Sequence, residues 1–453
     1  MIDLQRPQRI HVIGVGGAGM SAIATVLQAM GHSVSGSDQR DSAALARVAA
    51  AGVVTKVGHD RDEVADADLV TISTAINDTN PALVAARAAG KTVYRRAEML
   101  AAISAQRSTI AVAGTHGKTT TSSMLSLILV EAGWKPSFII GGEINEIGGN
   151  AVWDTGEWFV VEADESDGTF LELPRKAAVI NNVAPDHLDH YGGYDQLRDA
   201  FARFARETDG PVVVSDAPDL AELVNDSQNV VTVGLDPASR YVIDHLERER
   251  ASVRFELRRG GDFVGRYRVP TPGEHNARNA AVAAVMALEL GVAVKATQSA
   301  LERFAGVARR FQFRGTQRGV DYVEDYAHLP DEVAVAIAAA RDGAWDRVVV
   351  VFQPHRYSRT QQLATDFAHA FDGADHVIIT DIYGAGEAPR PGVTGHLVVD
   401  AVRAANPSLG VTWLRGRADL AAHLAGAMRP GELCLLLSAG DLTSVPDEVA
   451  AVP

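Results

Sequence analysis

The chain reads as an α/β protein of three domains in series, and three observations predict this. Its 453 residues exceed what one ordinary core fills, and length alone suggests about three domains. Short apolar runs bounded by glycine and polar turns alternate with helix-like stretches along the whole chain, the pattern of parallel sheets covered by helices. That alternation closes and restarts twice, near Gln106 and near "GVARRFQ", with no low-complexity linker. The expected domains are therefore residues 1–106, 107–312 and 313–453, joined by compact hinges.

In residues 1–106, "RIHVIGVG" and "HSVSGSD" are short strands flanking the helical "MSAIATVLQAMG". "ADLVTIST" is a further strand, and "EMLAAISAQRS" closes the segment with a helix and a polar turn. Residues 107–312 open with the strand "STIAVAG", a glycine loop and a helix from about Thr119, then continue through "EWFVVEAD", "KAAVINNV" and "PVVVSDA". From "YVIDHL" to "YRVPTPG" the apolar pattern alternates more strictly, as in antiparallel strands, before the helical "HNARNAAVAAVMALELG". Residues 313–453 restart with "VDYVEDYAH", "DRVVVVFQP", "DHVIITDIYG" and "ELCLLLSAGD", separated by helix-like sequence.

Composition excludes several classes. Apolar residues make up 47% and charged residues 22%, ordinary for a globular protein and far from disorder. A formal charge of -15 argues against nucleic-acid and anionic-membrane partners, which need a basic face. Cys434 is the only cysteine and lies in an apolar run, so it reads as a buried thiol. The N-terminus has no signal-peptide core and no apolar stretch could span a bilayer, which predicts a cytoplasmic protein.

Two glycine turns carry the chemistry. In "IAVAGTHGKTTT" a strand runs into Gly114, Thr115, His116, Gly117, Lys118, Thr119 and Thr120, and a helix follows. Glycines let successive N–H groups point at an anion, the helix N-terminus adds partial positive charge, and Lys118 adds a full one. Thr119 supplies a hydroxyl for Mg²⁺. Val112 stands where the usual phosphate loop has its first glycine, yet every other part is present in order. A nucleoside triphosphate is expected here.

A metal beside a triphosphate needs donors at the same sheet edge, beyond the carboxyl ends of the strands. "EWFVVEADESDGTF" delivers Glu162, Asp164, Glu165 and Asp167 to that edge, and "AAVINNVAPDHLDHY" delivers Asp186, His187 and Asp189. Histidine is a less usual Mg²⁺ ligand than oxygen, so Mn²⁺ could substitute.

The other turn, "GVGGAGMS", fits G-x-G-x-x-G through Gly14, Gly16 and Gly19, with Asp38 about 20 residues further on. Taken alone it is a dinucleotide fingerprint and points to an oxidoreductase. The same geometry would hold the pyrophosphate of a nucleotide-sugar, with Asp38 on a ribose or base. Gly14, Gly16, Gly17, Gly19, Met20 and Ser21, with Ser37 and Asp38, are the candidate contacts under either reading.

Taken together these stretches resemble the Mur ligase family, over nearly the whole chain. The resemblance rests on "GVGGAGMS", "RRAEML", "GTHGKTT", "EADESDGTF", "APDHLDHY", "GEHNARNA", "RRF", "DYAHLPDEV", "FQPHRYSRT" and "DIYGAGE". "FQPHRYSRT" points to the alanine-adding members. The resemblance implies Rossmann-like first and third domains around a phosphate-loop ATPase-type domain. It implies that the first glycine turn holds a UDP-sugar and that ATP binds the second. Lys118 would contact the β- and γ-phosphates, and Thr119, Glu162 and His187 would coordinate Mg²⁺. His275, Asn276 and Asn279 would lie at the adenine side, Arg310 would reach the reacting phosphate, and Asp325 the ribose. Tyr326, His328, His355, Arg356 and Arg359 would surround the muramoyl carboxylate and the incoming amino acid. Leu329 replaces a second histidine usual in the family's Asp-Tyr-Ala-His-His-Pro pattern. No lysine lies between Lys176 and Lys295, so the carbamylated lysine of later-acting members has no counterpart.

The implied activity is ATP-dependent joining of L-alanine to UDP-N-acetylmuramate through an acyl phosphate, by a monomer or homodimer whose domains close around the substrates. The alternatives are a murein-peptide recycling ligase of the same family, a nicotinamide-dependent oxidoreductase, and a nucleotide-gated binding protein without turnover.

Overall fold

In the computed structural model the described residues are 2–73, 75–186, 188–218, 220–343 and 345–452. They form three sheets. The first has five parallel strands in the order Val54–Val57, Ser33–Asp38, Arg9–Ile13, Leu69–Ile72 and Thr92–Arg95. Strand order reverses on either side of Arg9–Ile13, and at such a switch point the connections part and leave a crevice. The first glycine turn leaves the carboxyl end of that strand.

The second sheet has a parallel centre in the order Val230–Gly234, Val212–Ser215, Ala177–Ile180, Ser108–Ala113, Trp158–Glu162 and Ser137–Ile144. Gly149–Val152 adds an antiparallel edge. Tyr241–Glu249, Ser252–Arg259 and Asp262–Val269 follow one another along the opposite edge with two-residue links. The third sheet runs Gln312–Gln317, Val320–Asp325, Leu433–Leu437, Val348–Phe352, His376–Thr380 and Gly410–Leu414. It is parallel except for its first strand.

All four strands expected after residue 312 are present, and the two outer ones were not expected. Gln312–Gln317 is only partly buried and reads "QFRGTQ", so it carries no apolar run to betray it. It also begins at the last residue assigned to the second domain.

The chain packs as two compact units, one of residues 1–244, 256–267 and 278–304, the other of 245–255, 268–277 and 305–453. The expected hinge near Gln106 does not separate two interiors. One apolar core runs from Val12, Ile23 and Met99 through Ala111, Phe159 and Ile180. Helix Ala18–Ala29 lies against strands Ser137–Ile144 and Gly149–Val152 of the second sheet. Sequence periodicity marks which face of an element is apolar but not which sheet covers it. In the second unit, the turn at residues 250–251 is held by Arg250. Its guanidinium is 2.7 Å from Asp321 Oδ2 and 4.7 Å from the centre of the Trp345 ring. Ion pair and cation–π contact together explain why this turn belongs with the C-terminal sheet.

Candidate active site

Strand Ser108–Ala113 is fully buried at its carboxyl end, and the chain leaves it through Gly114 at φ 128°. Gly117, at φ 80°, starts helix Lys118–Glu131. Only glycine tolerates both the dihedral and the space: a Cβ on Gly117 would lie 2.5 Å from Asn279 Oδ1. The loop is braced from the next strand. Asn182 Oδ1 accepts the His116 N–H at 2.8 Å, and Asn182 Nδ2 donates to the His116 carbonyl at 3.1 Å. Asn181 Nδ2 donates to Thr121 Oγ1 at 3.0 Å, and Thr121 Oγ1 donates to Asn279 Oδ1 at 3.3 Å.

Lys118 folds back over its own loop. Nζ donates to the Gly114 carbonyl at 2.7 Å and to both Glu165 oxygens at 2.9 Å. Burial works against the ammonium, but the Glu165 carboxylate outweighs it and raises the Lys118 pKa. The same burial pushes the Glu165 carboxyl up against the pull of Lys118. An ammonium equidistant from two oxygens is the geometry of an ionised pair, and we assign both groups as charged.

Thr119 and Glu162, chosen from separate motifs, meet: Thr119 Oγ1 donates to Glu162 Oε1 at 3.2 Å. Glu162 Oε2 accepts the Gly141 N–H at 2.8 Å, and a Cβ on Gly141 would fall 2.8 Å from that oxygen. His187 lies outside the described residues. Among the described residues no cluster of three or more His, Cys, Asp or Glu side chains could hold a metal. Asp167 accepts hydrogen bonds from Thr169 within its own turn, so it closes a loop.

At the first glycine turn, Gly14 has φ 82°, and the N–H groups of Gly14 and Val15 donate to the Ser37 carbonyl at 2.8 and 3.1 Å. Asp38 Oδ2 accepts the Gly16 N–H at 2.9 Å, so this carboxylate braces the turn. Ser37 is fully buried, its hydroxyl bonded to His11 Nε2 at 3.2 Å and His59 Nδ1 at 2.9 Å. The side chain of Met20 is in the core, and Ser21 Oγ donates to the Ala18 carbonyl. The Gly17 and Ser21 N–H groups donate to the Gly14 and Gly17 carbonyls, so the groups left to face a ligand are the backbone N–H groups of Ala18, Gly19 and Met20.

The helix Glu274–Glu289 carries the next predicted group. Asn279 sits against the phosphate loop through Thr121, as above, and the buried Asn276 donates to the Pro272 carbonyl at 2.7 Å. Loss of solvent lowers the His275 pKa to about 4, so its ring is neutral at pH 7.

In the third sheet the predicted residues converge at the carboxyl ends of two parallel strands that flank Leu433–Leu437. Tyr326 and His328 follow Val320–Asp325, and His355 follows Val348–Phe352. The rings of Tyr326 and His328 meet edge-on at 5.5 Å, and His328 and His355 are 5.5 Å apart. His328 Nδ1 donates to the Tyr326 carbonyl at 2.9 Å, which leaves Nε2 as the acceptor of the neutral ring. Arg359 donates to His355 Nδ1 at 3.0 Å, so His355 carries its proton on Nε2. Burial, with the positive field of Arg359 and Arg356, lowers the His355 pKa to about 4. Arg310 lies 5.2 Å from the centre of the Tyr326 ring. Arg356, at φ 68°, starts helix Tyr357–Leu363 and donates its N–H to the Tyr383 carbonyl. Asp325 accepts the N–H groups of Phe311 at 2.8 Å and Ala327 at 2.7 Å; burial raises its pKa to about 6 despite Arg310.

Several participants escaped the sequence reading. Glu165 lies in the acidic cluster already noted, but linear sequence does not say which carboxylate faces Lys118. Asn181 and Asn182 stand directly after a buried strand, a position that would have flagged them. Tyr383, stacked on His355 at 5.9 Å, and Glu332, in the first turn of helix Pro330–Arg341 where it accepts the His328 N–H, lie in the stretches "DIYGAGE" and "DYAHLPDEV" but were given no role.

A switch-point sheet with a glycine turn, a parallel sheet with a phosphate loop, and a third parallel sheet with a histidine–arginine cluster define a multidomain nucleotide-binding α/β protein. Comparison with known proteins narrows the class. Residues 9–108 match the model of the Mur ligase family, catalytic domain; 112–287 match the Mur ligase middle domain; and 309–440 match the Mur ligase, glutamate ligase domain. The chain belongs to the Mur ligase family, whose three-domain architecture it shares. It is 42% identical to the UDP-N-acetylmuramate–L-alanine ligase of Agrobacterium fabrum, over 98% of this chain and 97% of that one. With the enzyme of that name from Mesorhizobium japonicum the identity is 40%, over 99% and 100%. Among solved structures, the UDP-N-acetylmuramate-alanine ligase of Thermotoga maritima superimposes with a TM-score of 0.82 at 28% identity, covering 98% of both chains. A murein peptide ligase from Psychrobacter arcticus shares the fold, with a TM-score of 0.72 at 23% identity over 98% of this chain and 99% of that one.

Proposed function

We propose that the chain joins L-alanine to the carboxylate of UDP-N-acetylmuramate at the expense of ATP, yielding UDP-N-acetylmuramoyl-L-alanine, ADP and phosphate in peptidoglycan precursor synthesis. The observation that carries the chemistry is the loop of Gly114 to Thr120, with a charged Lys118 over it and the Thr119–Glu162 oxygen pair beside it. Full-length similarity to two ligases of that name supports the substrates. Among the described residues no helix is long and apolar enough to cross a membrane, which accords with soluble substrates and a cytoplasmic reaction.

A carboxylate resists attack by an amine because it is anionic and lacks a leaving group. Transfer of the γ-phosphoryl group to a carboxylate oxygen gives an acyl phosphate and ADP. The alanine amine then attacks the carbonyl carbon, and the C–O bond breaks as phosphate leaves. The protein's part is charge neutralisation and orientation. Lys118 would exchange Glu165 for phosphate oxygens, while the asparagine braces keep the loop N–H groups pointing inward. Arg310 would meet the transferring phosphoryl group, Asp325 the ribose, and His275 with Asn276 and Asn279 the rest of the nucleotide. Tyr326, His328, His355, Arg356 and Arg359 would hold the two carboxylates and the amine.

Two hard oxygen donors 3.2 Å apart, on Thr119 and Glu162, fit Mg²⁺. When bound, the cation would offset negative charge on the phosphoryl oxygens. The proposed functional limits are 1–106 for the UDP-sugar, 107–312 for ATP and 313–453 for the amino acid. The test is a coupled phosphate-release assay with substrates omitted singly. Release that requires both UDP-N-acetylmuramate and L-alanine is expected. Release with L-Ala-γ-D-Glu-meso-diaminopimelate but not L-alanine would transfer the protein to the recycling ligases. A response to NAD(P)H without phosphate release would favour an oxidoreductase.

A further inference from the structure

Two adjacent arginines, Arg309 and Arg310, precede the first strand of the third sheet, and their surroundings differ. Glu324 and Asp325 end strand Val320–Asp325, and successive side chains of a strand point to opposite faces. Glu324 is fully buried and takes Arg309, whose Nε donates to Glu324 Oε1 at 2.9 Å. Arg309 Nη2 donates to the Ser438 and Gly440 carbonyls at 2.6 and 3.1 Å. Three of its five N–H donors are thus spent inside the protein. Among the described residues the Arg310 guanidinium forms no ion pair, and it acts on the buried Asp325 through its field. The Tyr326 ring lies against both guanidinium groups, 4.8 Å from Arg309 and 5.2 Å from Arg310. Two like charges at one ring would repel, and Glu324 neutralises the first of them.

The backbone between the two arginines is held as firmly. Arg309 has φ 62° and Phe311 φ 46°, left-handed values that non-glycine residues keep only where their surroundings enforce them. Three hydrogen bonds do so. The Arg309 N–H donates to Gln312 Oε1 at 2.9 Å, the Arg309 carbonyl accepts the Tyr326 N–H at 2.8 Å, and the Phe311 N–H donates to Asp325 Oδ2 at 2.8 Å. With both neighbours fixed, the direction in which the Arg310 side chain leaves the chain is fixed too.

We propose that Arg309 is a positioning residue: locked by Glu324 and by the Ser438 and Gly440 carbonyls, it holds the turn at residues 307–311 and the Tyr326 ring so that the Arg310 guanidinium is aimed at the transferring phosphoryl group. This rests on the part given to Arg310 in the proposed function. Arg309 itself touches no substrate, and its effect passes through Arg310. Glu324 also faces Arg314 and accepts from Thr443 Oγ1 at 2.6 Å, so loss of Arg309 does not leave its carboxylate unpaired.

The test is a double-mutant cycle on the full chain. It compares kcat for phosphate release, and KM for each substrate, in wild type, Arg309→Ala, Arg310→Ala and the double variant. Arg310→Ala is expected to lower kcat roughly a hundredfold, as for a lost transition-state donor. Arg309→Ala should lower it roughly tenfold or more, the scale of a misaimed group, with KM for UDP-N-acetylmuramate and L-alanine unchanged. Adding Arg309→Ala to Arg310→Ala should cost nothing further, because an effect that acts through Arg310 vanishes with it. Arg309→Lys keeps a charge opposite Glu324 without the fork to the two carbonyls, and should recover part of the rate. Wild-type kcat in Arg309→Ala beside an impaired Arg310→Ala overturns the inference and leaves the proposed function intact. Losses that multiply in the double variant also overturn it, as the mark of a merely structural residue. A wild-type rate in Arg310→Ala removes that arginine from the proposed function, and the inference with it.

Discussion

Replacing Lys118 by alanine is the obvious probe of the phosphate loop, but the structure shows that it perturbs two things at once. Glu165 is 1% exposed, and its side chain faces Lys118 Nζ at 2.9 Å. Without the ammonium, a buried carboxylate has lost its counter-charge, a change that costs about 3–5 kcal/mol in comparable cases. Glu165 can escape by taking up a proton. Holding a carboxyl of ordinary pKa near 4.3 protonated at pH 7 costs about 3.7 kcal/mol, which caps the penalty. The sign follows. In Lys118→Ala the folded-state pKa of Glu165 rises far above its unfolded value. The destabilisation is then absent below about pH 4.3 and grows by about 1.4 kcal/mol per pH unit above it. Melting and urea transitions of wild type, Lys118→Ala and Lys118→Ala/Glu165→Gln between pH 5.5 and 8 measure this. The single variant should be the least stable at pH 8 and converge on the double variant as pH falls. The double variant should fold and release no phosphate. Parallel pH profiles for the single and double variants would refute the buried-pair argument, and phosphate release by the double variant would refute the loop assignment.

Further outcomes are expected elsewhere. Gly117→Ala places a Cβ 2.5 Å from Asn279 Oδ1 at φ 80° and should abolish binding of a non-hydrolysable ATP analogue; unchanged calorimetry would show that the loop is not the nucleotide site. Glu162→Gln should raise the Mg²⁺ concentration needed for half-maximal phosphate release at least severalfold, and an unchanged metal titration would count against Glu162 as a ligand. His11 is 2% exposed and burial lowers its pKa to about 4, with Glu63 opposing. A depressed folded pKa means that stability present above about pH 6.5 is lost as pH falls towards 4, by up to about 3 kcal/mol. His11→Gln should flatten the urea midpoint across that range, and an unaltered slope would exclude His11 as the cause.

The phosphate loop was legible because its physics is local. A buried strand, two glycines, a lysine and a hydroxyl in fixed order make an anion site wherever they fold, and Lys118 and Thr119 emerged in the expected setting. Val348–Phe352, His376–Thr380 and Leu433–Leu437 of the third sheet were legible for the same reason, as continuous apolar runs, whereas the parallel outer strand Gly410–Leu414 was not. Roles assigned from the same motifs behaved differently when they depended on neighbours distant in sequence. Ser37 and Asp38 end one strand side by side, yet Ser37 turns into a buried histidine pair while Asp38 braces the glycine turn. Asn276 and Asn279, one helical turn apart, donate to the Pro272 carbonyl and accept from Thr121 in the helix after the phosphate loop, respectively.

The order of residues by itself determined the α/β alternation and the two glycine turns, because each follows from chemistry within a few residues of the chain. Only the tertiary structure decided that Glu165 rather than Asp167 neutralises Lys118, and that the first two sheets share one core. Those outcomes turn on Coulombic and packing contacts between segments tens of residues apart. Such contacts exist only once the backbone has brought the segments together and excluded the water between them.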